Sequence, residues 1–172
     1  MSQLIKDGAL AVDRWTLLPD AYSLTDLPDG IPLIVPLTLW EAERRALLVR
    51  GEVGVLLAPD DDPEAIAGDV GVLPVIAIDF PQFTDGRGYS TARLLRERHR
   101  YQGELRAVGD VLRDQIYALA ECGFDAFVIR ADRSAADALE GLRDFTGLYA
   151  ATVRNPQPWF RRRVAAHSSQ DR

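Results

Sequence analysis

Short apolar runs alternate with helical patterns along most of this chain, and that alternation predicts a mainly parallel sheet covered by helices. Ile31 to Val35 is apolar and leads into a helical pattern from Leu39 to Val49. Val53 to Leu57 is a second run, stopped by Pro59 and the acids Asp60, Asp61 and Asp62, with a brief helix expected from Pro63. Leu73 to Ile78, Glu104 to Val108 and Phe124 to Ile129 are three further runs. They are followed or separated by helical patterns over Ser90 to Arg98, Val111 to Glu121 and Ala135 to Phe145, with Gly123 as a C-terminal cap and Ser134 as an N-cap. The resulting fold class is α/β with about five βα units. Eight such units would close a barrel, so the pattern leaves a partial barrel or an open sheet, with a homodimer as one way of completing it.

Upstream, Leu4 to Leu18 reads as a β-hairpin turning at Asp7-Gly8, and Pro28-Asp29-Gly30 marks a loop. Residues 1–153 are expected to form a single domain. Residues 154–172 form a tail stiffened by Pro156 and Pro158 and carrying Trp159, Phe160 and the cationic run Arg161 to Arg163. Its last residues, His167 to Arg172, are expected to be disordered.

Composition narrows the function classes. With 47% hydrophobic and 27% charged residues, the 172-residue chain can fill a core. A net charge of −6 argues against broad binding to nucleic acid, which needs a concentrated cationic face. Cys122 is the only cysteine, and His99 and His167 the only histidines, so neither a disulfide nor a Cys- or His-rich metal site is expected. No cofactor is assigned to the chain. The first residues lack a signal-peptide core, and no apolar run approaches the ~20 residues that span a bilayer. The expected location is the cytoplasm, without a membrane partner.

In parallel α/β folds, ligands gather beyond the carboxyl ends of the strands. Asp60, Asp79, Asp110 and Asp132 fall at or just past such ends. They form either an acidic mouth, with Asp79 and Asp110 as candidate general bases, or caps on the helices that follow. The richest segment is Phe83-Thr84-Asp85-Gly86-Arg87-Gly88-Tyr89-Ser90, where two glycines flank an arginine in a loop opening into a helix. Backbone amides around Gly86 and Gly88, the Arg87 guanidinium and the Ser90 hydroxyl suit a small oxyanion. The alternative is a tight turn in which Arg87 pairs with Asp85 or Asp79. The segment is neither a Walker loop nor a dinucleotide fingerprint. Arg106, inside a strand and in phase with Glu104, must face the mouth or pair, because an isolated buried charge is costly. With Arg113 it would join Arg87, Asp79 and Asp110 in one anion-binding cluster. Arg93, Arg96 and Arg100 share a helix face that is either solvated and paired with Glu97 or a docking surface. Cys122, at a helix C-terminus, reads as a packing residue, and Trp15, Trp40 and Phe124 read as core anchors.

The Phe83–Ser90 segment, Ala92-Arg93-Leu94-Leu95-Arg96, Gly103 to Leu112, Asp114-Gln115 and Cys122 to Phe127 together resemble a family of small bacterial proteins, domain-of-unknown-function family 934. Weaker similarity reaches Pro36 to Trp40 and the Lys6-Asp7-Gly8 turn. The resemblance implies an oxidoreductase connected with sulfite reduction and associated with assimilatory sulfite reductase. It carries no catalytic residues across. Sulfite reduction needs haem and iron–sulfur centres, and one cysteine cannot ligate such a cluster. The resemblance therefore implies an accessory protein acting with a partner sulfite reductase, with or without a small oxyanion. A stand-alone enzyme on a small anion and a non-catalytic assembly module are the competing readings.

Overall fold

The computed structural model describes residues 3–19, 22–144, 150–158 and 161. Expectations for Trp159, Phe160, Arg162, Arg163 and His167 to Arg172 lie outside these residues.

The strands are β1 (Leu4–Lys6), β2 (Ala9–Ala11), β3 (Thr16–Leu17), β4 (Leu33–Pro36), β5 (Val53–Leu57), β6 (Val75–Phe80), β7 (Glu104–Gly109) and β8 (Ala126–Val128). The helices are α1 (Leu37–Arg50), α2 (Arg87–Glu97), α3 (Arg113–Glu121) and α4 (Ala135–Glu140). A 3-10 turn, Pro63–Ile66, follows β5 and is capped by the Asp62 carboxylate, which accepts from Glu64 N–H at 3.0 Å. Ser134 caps α4, accepting from Asp137 N–H at 3.3 Å.

All eight strands lie in one sheet, in the order β2-β1-β8-β7-β6-β5-β4-β3. Neighbours from β3 to β8 pair in parallel, whereas β1 pairs antiparallel with both β2 and β8. The expected α/β class holds, but the expectation of about five units undercounts the sheet. The predicted hairpin spans only β1 and β2, and it extends the sheet instead of preceding it. Thr16–Leu17, read as part of that hairpin, forms the opposite edge.

Chain connectivity forces the sheet to curl. Seven interstrand gaps of a flat sheet would set its edges roughly 34 Å apart. Only Val12 to Trp15 link edge strand β2 to edge strand β3, and five Cα steps reach at most about 19 Å. The edges must approach each other, which makes the sheet a half-barrel.

Alternation then sorts the side chains. Leu33, Val35, Val53, Val55, Leu57, Ile76, Ile78, Phe80, Leu105, Ala107 and Phe127 face the helices and form the main core with Trp40, Leu47, Leu95, Ile116 and Phe124. On the concave face Ile34, Val75, Ala77 and Val108 form a smaller cluster, against which Trp15, Leu56 and Val128 pack. Arg106 belongs to this concave face. It is 2% exposed and donates to Glu104 Oε1 at 2.7 Å and to the Asp13 carboxylate at 2.8 and 2.9 Å. Lys6 completes the group, 2.6 Å from Glu104. The Val12–Trp15 link thus latches across the hollow of the sheet.

Residues Thr152 to Asn155 are anchored too. The buried Glu121 carboxylate accepts from Thr152 at 2.5 Å and from Asn155 at 3.2 Å, so Thr152 to Asn155 dock on α3. Among the described residues no helix is long and apolar enough to cross a membrane.

Candidate functional site

The loops after β5, β6, β7 and β8 share the carboxyl-end rim of the sheet, and two arginines organise them. Arg87, the first residue of α2, grips Asp85 with two donors, Nε to Oδ1 at 3.0 Å and Nη2 to Oδ2 at 2.7 Å. Its Nη1 donates to Asp60, from the loop after β5. Arg130 repeats the plan: Nε and Nη2 hold Asp132 at 2.6 and 3.0 Å, while Nη1 holds Asp110 at 2.6 Å. Each guanidinium therefore joins a carboxylate two positions away to one from a neighbouring loop. The pairing holds the Asp85 and Asp132 carboxyls below the usual carboxylate range, chiefly through hydrogen bonds from Arg87 and Arg130.

The backbone around Arg87 is also engaged. Arg87 N–H donates to Asp85 Oδ1 at 3.1 Å, Tyr89 N–H to the Gly86 carbonyl at 3.2 Å, and Asp85 N–H to the Gln82 carbonyl at 3.0 Å. Gly88 is buried: a Cβ there would stand 2.6 Å from the Phe80 ring and 2.9 Å from Ile78. Its bareness serves close packing of α2 on β6. Gly86 faces open space, and Ser90 is exposed on α2.

Asp110 does not cap α3, whose N-cap position is Leu112. It accepts from Phe83 N–H at 3.0 Å and from Arg130, tying the β6 loop to the β7 and β8 loops. Asp132 is likewise bound by Arg130 instead of capping α4. Asp79 is half-buried on the concave face, opposite Val108, and is engaged by a neighbour. A side chain at Gly109 would stand 2.7 Å from Asp79 Oδ1 and 2.5 Å from the Phe80 carbonyl; with φ +93, that position takes glycine.

The expected cluster of Arg87, Arg106, Arg113, Asp79 and Asp110 is brought together only in part. Arg87 and Asp110 belong to adjoining rim loops. Arg106 lies three residues before the end of β7, in the concave ion-pair group. Arg113 turns to the helix layer, donating to Asp137 at 2.8 Å and Asp144 at 3.1 Å. Arg93 pairs with Glu97 at 3.0 Å, as a solvated face would. Arg96 does not: 13% exposed, it donates to the carbonyls of Gly123, Tyr101 and Gly103 and to Asp125. Cys122 packs against the core, where burial pushes its thiol up and disfavours the thiolate.

Sequence reasoning overlooked Arg130, although the signal was present. Asp85-Gly86-Arg87 and Arg130-Ala131-Asp132 are mirror images at a two-residue spacing, each just past a strand end.

Chemically, this rim presents two exposed guanidinium groups, and on Arg87 one of the two paired carboxylates, Asp60, is itself exposed. No curated protein matches the chain. A family model described as bacterial protein of unknown function matches residues 54–160, which spans the rim, α2, β7, α3 and β8. This chain belongs to that family, DUF934.

Proposed function

We propose that this protein serves assimilatory sulfite reduction as an accessory protein, docking on a partner sulfite reductase through the rim around Arg87. An oxyanion such as sulfite, or a carboxylate of the partner, is accepted there. The observation that carries the reading is the unequal standing of the two carboxylates on Arg87. Asp85 is 13% exposed and holds the guanidinium from two sides, whereas Asp60 is 90% exposed and comes from another loop. Exposed ion pairs contribute about 0–1 kcal/mol, so an incoming anion can replace Asp60 at little cost while Asp85 keeps Arg87 aimed outward.

The family resemblance suggests the pathway. The single cysteine leaves the cluster ligation to the partner, and the paired state of Asp110 fits a structural role better than that of a general base. A cytoplasmic location, where the reductase works, is part of the same proposal. The test is a pull-down of sulfite reductase on the immobilised protein at modest ionic strength. Capture is expected for the wild type and strong loss for Arg87→Ala; absence of capture by the wild type would sink the reading.

A further inference from the structure

The opposite end of the sheet carries a cleft of about 370 Å3, distinct from the rim. Its floor is made by Phe124, Phe127 and Leu142, where α3 turns into β8. That volume is at the small end of the range for ligand pockets.

The walls carry charge of both signs. Asp7 and Gly8 form the β1–β2 turn with φ +50 and +77, the paired left-handed geometry of a tight hairpin turn. Asp7 N–H donates to the Asp125 carbonyl at 2.9 Å, which fixes the turn against the start of β8. Asp7 and Arg154 both line the cleft. Neither side chain has a hydrogen-bond or ion-pair partner among the described residues. Asp125, beneath Asp7, is already occupied by Arg96 at 2.7 Å and Leu105 N–H at 2.8 Å. Burial still raises its carboxyl above the usual range.

We infer that this cleft binds a small dipolar ligand, a free amino acid with an apolar side chain. Its ammonium would meet Asp7, with Asp125 behind, its carboxylate would meet Arg154, and its side chain would lie on Phe124, Phe127 and Leu142. One unmatched anion, one unmatched cation and an apolar floor fit that class. A simple amine would leave Arg154 unanswered, and a simple acid would leave Asp7 unanswered. Charge-assisted hydrogen bonds to both ends would supply orientation, and the floor would supply apolar burial.

The test is isothermal titration with L-leucine, alongside 3-methylbutylamine and 4-methylpentanoate, which each keep one charge. L-leucine is expected to bind, with both analogues weaker by about tenfold or more. Asp7→Asn and Arg154→Gln are expected to weaken L-leucine by a similar factor at an unchanged melting temperature; asparagine tolerates the left-handed turn position. Arg45→Gln, at an exposed site on α1, should bind as the wild type does. No heat with millimolar L-leucine, an analogue that binds equally well, or unaltered binding by both cleft variants would overturn the inference. None of these outcomes bears on the rim around Arg87, which lies at the other end of the strands.

Discussion

Replacing the two glycines that flank Arg87 by alanine should have opposite effects, although the two positions read alike in the sequence. At Gly88 the added Cβ would meet Phe80 ring atoms at 2.6 and 2.9 Å and Ile78 Cγ2 at 2.9 Å. The ring cannot swing away. It is fully buried, edge-on to Tyr89 at 5.6 Å between centroids and tilted against Phe124 at 5.9 Å. Overpacking of this kind costs about 1–3 kcal/mol, offset in part by the up to ~1 kcal/mol that alanine gains over glycine inside a helix. A net loss of up to about 2 kcal/mol should lower the melting temperature by up to roughly 8 °C for a chain of this size. At Gly86, φ is −90° and nothing lies within 4 Å of a Cβ. Alanine there restricts the unfolded chain without strain and should stabilise by about 0.4–1 kcal/mol. Calorimetric melting of the two single variants decides the matter. A Gly88→Ala protein that melts at or above the wild-type temperature, or a Gly86→Ala protein that falls as far, would refute the packing argument and return both glycines to a shared role in holding an anion.

Other perturbations probe the frame around the two sites. Arg106→Ala removes the cation shared by Glu104 and Asp13 and should cost about 3–5 kcal/mol, the range for breaking a buried ion pair; urea unfolding measures it, and a loss under 1 kcal/mol would mean the latch carries little. Glu121→Ala should free the segment docked through Thr152 and Asn155, seen as new proteolytic cleavage within 150–158 while the core stays intact. Stability against pH should respond in opposite senses at two carboxyls. Hydrogen bonds from Arg44 hold Asp69 below its ordinary value despite burial, so its contribution is present above the unfolded value near ~3.9 and lost as pH falls through the folded one. Burial raises Asp125, so its contribution is present below ~3.9 and lost as pH rises through the folded value. In urea midpoints measured across pH, Asp69→Asn should therefore flatten the fall toward acid, and Asp125→Asn should remove a loss of stability on the rise toward neutrality.

What could be read from the chain depended on how local each cause is. Val53 to Leu57 became β5 over the same residues, and the Ser134 and Pro63 signals marked true helical starts, because apolar runs and caps act within a few residues. Thr16–Leu17 could not be recognised as an edge strand. Two residues carry no periodicity, and their partner, Leu33–Ile34, is supplied by the curl of the whole sheet. The site followed the same rule. The pairing of Arg87 with Asp85 was one of two readings open in the loop itself, whereas Asp60 comes from 27 positions away and Asp13 reaches Arg106 across 93. A charge inside a strand announces that it needs a partner; it does not say which one.

In the proposed function, Arg87 is an anchored cation with a replaceable second partner, turned toward a sulfite reductase. Equilibrium affinity for the reductase, measured by analytical ultracentrifugation with wild type, Arg87→Ala and Asp60→Ala, tests it most directly. The account predicts changes of opposite sign: weaker association for Arg87→Ala, and association as strong or stronger for Asp60→Ala, which frees the guanidinium. Equal affinities for all three proteins, or a loss with Asp60→Ala matching that of Arg87→Ala, would contradict it.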